Sequence, residues 1–255
     1  MNTTKKQCLN CNHIVTDTYC GKCGQSILTS RINLKHLMEE LQSGILHVNK
    51  GILFTAKELV FRPGTTIKNY LAGKRIEYSK PFTFILIWGG IYSLIFHLFH
   101  YFPIQEMNRS TNTILEYIPL YDWYNTHYSL QMLFTLPFFA SGTFLLFRKN
   151  NEYNYIEHLV AFSFINGEKI VLLLLFYPLI YFSRSIPVYH LAHTVTTLYT
   201  LWGITQFLRT SSWIKTILKV LVSFILTFLF LTLFTTVLFE LCKYYNIRLD
   251  YPFSQ

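Results

Sequence analysis

Between Lys219 and Glu240 the chain carries no charged residue, and Leu, Phe, Val, Ile and Thr fill nearly every position. A helix needs about 20 apolar residues to cross a bilayer. In lipid such a run has one stable form, a helix that satisfies its own backbone groups. The same signal recurs along the chain, and five spans are predicted at 82–102, 130–147, 156–182, 188–208 and 218–241. Charged residues make up 14 % of the sequence, against ~25 % in ordinary soluble domains. The expected fold is an all-α polytopic membrane protein of about five transmembrane helices, preceded by something quite different.

That preceding segment is "CLNCNHIVTDTYCGKCGQS". Four of the 5 cysteines, Cys8, Cys11, Cys20 and Cys23, form two CxxC pairs within it. Each pair makes a tight knuckle with two thiolates aimed at one ion, and two knuckles complete a tetrahedral site suited to zinc. Gly21 and Gly24 lie where the second knuckle needs relaxed backbone angles. Disulfides would require an oxidising compartment, and a redox CxxC would require a thioredoxin-like context that the sequence lacks. A structural Zn2+ in a minimal ribbon is therefore expected, with metal binding supplying most of its folding energy. Four thiolates leave no open position for catalysis. His13 is read as a solvated loop residue, and Cys242 as a small buried apolar one. The segment lacks the apolar core of a secretory signal, so the first span is expected to serve as the insertion signal.

Between ribbon and first span, apolar residues from Leu34 to Leu46 recur at helical steps, and a second run covers 52–61. Both are too interrupted to span, and they suit interfacial helices or helices packed under the membrane domain. Pro63-Gly64 should break the helix, Thr65 or Thr66 should cap a new one, and Gly73 should end it. Lys68, Lys74, Arg75 and Lys80 then make a cationic collar among Tyr70, Tyr78 and Phe82, fit to meet anionic lipid headgroups or a partner. The expected division is 1–28 ribbon, 29–81 amphipathic and juxtamembrane helices, and 82–255 transmembrane domain. Nucleic acid competes for any basic segment, but no basic run interleaves with aromatics away from the spans, and none is expected as a partner.

An ordered set of motifs runs through this region: Cys23-Gly24-Gln25, His47-Val48-Asn49-Lys50-Gly51, Lys57-Glu58-Leu59, Arg62-Pro63-Gly64, the YLAGKR run from Tyr70 to Arg75, and Pro81. With them the chain resembles the bacterial membrane proteins grouped as domain of unknown function family 3667. The run from Glu152 to Phe162 resembles a family segment more weakly. The resemblance implies an integral membrane protein of a bacterial inner membrane, with no assigned activity and no catalytic residues.

Cationic residues set the expected orientation. More than half of the 22 Lys and Arg precede Pro81. With the N-terminus inside, Arg148, Lys149, Arg209, Lys215 and Lys219 join them, and only Arg109, Arg184, Lys243 and Arg248 face outward. The positive-inside rule then places the ribbon in the cytoplasm and the C-terminus outside, where a reducing compartment keeps thiols available for metal.

Polar residues interrupt the third span: Asn166, Gly167, Glu168 and Lys169 fall near its middle, where a charge is costly. Partners for them are expected from His193 and His190 on the fourth span, or from His97 and His100 on the first. Three roles stay open: an ion or proton pathway, hydrogen-bonded glue between helices, or a break at Asn166-Gly167. No HExxH, GxSxG, Walker or dinucleotide pattern occurs. The expected function is non-enzymatic: a membrane scaffold or adaptor that engages a protein partner through its ribbon. The alternative is a small transporter or channel using the Glu168, Lys169 and His193 group.

Overall fold

The computed structural model describes residues 6–33, 51–99, 128–149, 152–210 and 212–244. The expected amphipathic run 34–46, residues 103–127 of the outward loop expected over 103–129, His100, and the side chains of His97 and Cys242 lie outside the described residues. The ribbon contains a two-stranded antiparallel sheet, β1 (Lys6–Gln7) and β2 (Ile14–Val15), with Lys6 opposite Val15 and Gln7 opposite Ile14. Among the described residues seven helices follow: α1 (Ile52–Phe61), α2 (Pro63–Leu71), α3 (Pro81–Phe99), α4 (Tyr128–Phe147), α5 (Tyr155–Ser183), α6 (Ile186–Phe207) and α7 (Trp213–Tyr244).

Helices α1 and α2 abut without a loop. Pro63 stands at the first position of α2 and Arg62 serves both as C-cap of α1 and N-cap of α2. The missing Pro N–H costs nothing at a helix start, so Pro63-Gly64 makes a kink between two helices. Neither Thr65 nor Thr66 caps α2, contrary to expectation, because the helix has already begun; Thr66 is buried within it. The kink has one local cost. The carbonyl of Leu59 would normally accept from residue 63, which is Pro and has no N–H. The Tyr199 hydroxyl of α6 donates to it instead, at 2.9 Å. At its other end α2 closes as expected: Gly73 has φ 99°, its N–H donates to the Tyr70 carbonyl at 3.1 Å, and the Lys74 N–H donates to Asn69 at 3.0 Å. This is a Schellman turn, which favours glycine at the left-handed position.

Helix α5 is the axis of the molecule. Every residue from Glu157 to Glu168 is buried, and α1, α2, α3, α4 and α6 all pack against it. Asn154 opens it with a capping box: its side chain accepts the Glu157 N–H at 2.9 Å, and the Glu157 carboxylate accepts the Asn154 N–H at 2.7 Å. The helix passes through Asn166-Gly167 unbroken, so that form of the third-span reading is excluded. Gly167 serves packing: a Cβ there would lie 2.5 Å from the Phe84 ring of α3. Gly203 of α6 does the same for Ile165, again at 2.5 Å. Absent Cβ atoms let helix backbones approach closely, as at interfaces between membrane helices.

Helix α4 lies between α5 and α7. Its Phe138 and Phe139 rings meet Phe230 and Phe224 of α7, with centroids 5.8 and 4.9 Å apart. The outer face of α7 leaves Leu218, Ile225, Phe228, Leu229 and Leu233 exposed. Among the described residues three helices are long and apolar enough to cross a membrane: Leu130–Phe147, Tyr155–Ser183 and Trp213–Leu238. Pro81–Ile95 is a shorter apolar stretch, and α6, with many Thr, His and Tyr, falls outside that group.

Candidate metal centre and its docking site

The two knuckles are built on one plan. In the first, the Cys8 N–H donates to the His13 carbonyl at 2.9 Å and the Asn12 N–H to the Cys8 carbonyl at 2.9 Å. In the second, the Cys20 N–H donates to Gln25 at 2.9 Å and the Gly24 N–H to Cys20 at 2.7 Å. Each turn closes on a left-handed residue, Asn12 at φ 60° and Gly24 at φ 77°. Asn tolerates that region better than most side chains. Gly24 thus has the role expected of it. Gly21 lies outside the left-handed region, and Asn12 fills the equivalent place in the first knuckle.

The four sulfurs lie within 4.8 Å of one another. Across the knuckles, Cys8 Sγ is 3.6 Å from Cys23 Sγ and Cys11 Sγ is 3.5 Å from Cys20 Sγ. Four sulfurs arranged tetrahedrally at about 2.3 Å from one ion lie about 3.8 Å apart. A disulfide would need about 2.05 Å, and all four cysteines are free thiols. The donor set therefore fits a metal ion. Backbone dipoles prepare it. The Cys11 N–H aimed at Cys8, assisted by Asn10, holds the Cys8 thiol below its ordinary value. Burial opposes ionisation of Cys20, yet the Cys23 and Lys22 N–H groups push it down to about 7. The His13 N–H favours the Cys11 thiolate, but burial and the neighbouring sulfurs prevail and push it up to about 12. Sulfurs this close cannot all carry charge unless a cation sits among them. His13 is exposed and contributes only backbone.

The ribbon does not hang free. Gln25, directly after the second knuckle, is buried. Its amide donates to the Gly73 carbonyl at 2.6 Å and its carbonyl accepts the Arg75 N–H at 3.0 Å. One side chain thus grips the turn that ends α2. Leu9 packs on the bare Cα of Gly73, where a Cβ would lie 2.7 Å from it. Arg75 donates to the Ser30 carbonyl at 2.8 Å and to Tyr70 at 3.3 Å, with its guanidinium 5.4 Å from the Tyr70 ring centroid. A second clasp lies beyond the ribbon. Arg31 pairs with both Glu157 oxygens, Nε to Oε1 at 2.8 Å and a terminal nitrogen to Oε2 at 2.7 Å, and also reaches the Glu152 carbonyl. Asn154 donates to the Ile32 carbonyl at 3.2 Å. The capping-box carboxylate of α5 is thereby also the counter-ion of the ribbon's trailing arm.

The collar residues separate accordingly. Arg75 is engaged with the ribbon, Lys74 is exposed, Lys80 ends the loop before α3, and Lys68 is half-buried on α2. The polar residues of α5 separate too. Asn166 and Glu168 are buried, and Glu168 lies near Tyr199 with neither oxygen accepting a hydrogen bond. Lys169 lies near His193, whose ring packs on Tyr189 at 4.3 Å. Because Gly167 meets Phe84 and Ile85, this group sits level with the first turns of α3, close to its ribbon end. Partner identities on distant helices carried no sequence signal: Arg31 with Glu157 and Tyr199 with Leu59 are visible only in the fold.

A family model described as "Protein of unknown function (DUF3667)" matches residues 49–93. That segment is similar to this family. The DUF3667 segment runs from just before Gly51, through the α1–α2 kink and the Gly73 turn, into α3, so it contains the surface that Gln25 grips. No curated protein and no solved structure matches the chain.

Proposed function

We propose that this is a non-enzymatic membrane adaptor of five spans, with a cytoplasmic zinc ribbon that presents a partner-binding face. The four-thiolate donor set favours zinc over harder ions. Helices α3 and α6 supply the two further spans: both run along α5, with Phe99 reaching Tyr181 at 5.1 Å and Ala192 packing with Leu173 and Ile180. The cationic imbalance supports a bacterial inner membrane with the ribbon inside, and anionic headgroups against Lys68, Lys74 and Lys80.

The observation that carries the adaptor reading is a ribbon clasped to the helices that still exposes large apolar side chains. Gln25 and Arg31 fix it to the helices, while Ile14, Tyr19 and Leu28 stay 62 %, 63 % and 68 % exposed. The bridge of Tyr19 with Ser26 sets Tyr19 beside the turn that carries Leu28. Large side chains held rigid and exposed suit protein recognition. A photo-crosslinker at Tyr19 in native membranes should give a discrete adduct. Cys20→Ser should abolish the adduct and leave the protein in the membrane fraction. No adduct in the parent, or an undiminished one in the variant, defeats the proposal.

Glu168 favours a second reading, an ion or proton pathway, because a buried carboxyl without a donor is what a carrier group requires. Proton flux in proteoliposomes that survives Glu168→Gln unchanged would discard it.

A further inference from the structure

Helices α2 and α6 cross at Gly64, whose N–H donates to the Gln206 side chain at 3.3 Å and whose missing Cβ would lie 2.5 Å from Gln206. Lys68 is one turn beyond Gly64 on the same face of α2. Arg209 follows Gln206, just past the end of α6. The crossing therefore sets Lys68 on α2 and Arg209 past the end of α6 within electrostatic reach of each other. Burial first, and Arg209 second, hold the Lys68 ammonium below its ordinary value.

Among the described residues no carboxylate pairs with either cation. The acids Glu58 and Glu157 are taken by Arg62, at 2.6 Å, and by Arg31. The Arg209 guanidinium lies 5.2 Å from the Trp213 ring centroid at the start of α7, which fixes its direction. The turn between them uses its own hydroxyls: Thr210 bonds Thr216 at 2.9 Å, and the Ser212 hydroxyl accepts the Lys215 N–H at 3.5 Å. Two like charges, one partly desolvated and neither neutralised, repel each other unless an anion shares them. A tetrahedral phosphate suits the pair, with Arg offering a planar fork and Lys a point charge. Trp213 marks the depth at which headgroups lie.

We propose that Lys68 and Arg209 form a discrete site for one phosphate group, supplied by the headgroup of an anionic phospholipid, between the end of α2 and the α6–α7 turn. The site rests on the reading of the collar as lipid-facing and narrows it to two residues, one of them outside the collar.

Native mass spectrometry of the full-length protein in detergent tests this, with phosphatidylglycerol, phosphatidylcholine or inorganic phosphate added. Phosphatidylglycerol should be retained over phosphatidylcholine. Lys68→Gln and Arg209→Gln should each lower its retention about tenfold, the loss of one charge-assisted contact. Lys74→Gln should leave it unchanged, and Lys68→Arg should retain the lipid, separating loss of the site from loss of fold. If the parent holds both lipids equally, the collar reading itself fails. If Lys74→Gln is as damaging as Lys68→Gln, the site fails and a diffuse collar remains. Displacement of the lipid by equimolar inorganic phosphate would make free phosphate the ligand and overturn the lipid assignment.

Discussion

At the scale of single residues, a few side chains connect parts of the chain that share no local signal. Glu157 is the clearest. As an acid at the start of α5 it suits the positive end of the helix dipole, and it accepts the Asn154 N–H at 2.7 Å. Its pairing with Arg31 draws in a residue 126 positions away. Arg31→Ala should lower stability by about 1–2 kcal/mol, less than a fully buried pair because Arg31 is largely exposed. Glu157→Gln in that background should recover part of the loss, and thermal unfolding of the four proteins in detergent gives the coupling. Acid should release the metal, because every ligand must first lose a proton. The metal content measured after equilibration at falling pH should therefore decline, with the unmetallated thiols returning.

At the scale of elements, the α1–α2 kink and the glycine contacts decide how helices meet. Tyr199→Phe should cost about 1–2 kcal/mol, because it leaves the Leu59 carbonyl buried without a donor. In a Pro63→Ala background the same change should cost less, since residue 63 regains the N–H that the carbonyl lacks. A double-mutant cycle by thermal unfolding measures this, and equal costs in both backgrounds would remove the assigned role of Tyr199. Gly167→Leu should destabilise by about 1–3 kcal/mol through overpacking against Phe84, whereas Gly90, with open space around its Cα, should accept Ala at little cost. The motif run GKR is explained at this scale as well. Gly73 permits the Schellman turn and the approach of Leu9, while Arg75 locks the ribbon's trailing arm.

At the scale of the whole molecule, ribbon and bundle form one assembly, so a metal held by the four cysteines would bear on helix α5. Removing the metal with a chelator should free Gln25 and Arg31 from their partners while α3–α7 hold their packing. Limited proteolysis should then cut within 6–33 only after chelation, with the remainder staying in the membrane fraction. Cleavage that is equally fast with metal present would show that the ribbon's docking does not depend on it.

The sequence by itself determined the four-cysteine cluster, the helical and apolar character of the main segments, the end of α2 at Gly73 and the family resemblance. Each is written in neighbouring residues, as a spacing, a run or a turn signal. Only the tertiary structure decided that α5 is continuous and central, that Gln25 and Arg31 fasten the ribbon, and that Tyr199 covers the Leu59 carbonyl. The physical reason is the same in each case. A buried charge or carbonyl demands a partner, but which distant residue supplies it is set by the crossing of helices, and no local pattern encodes that crossing.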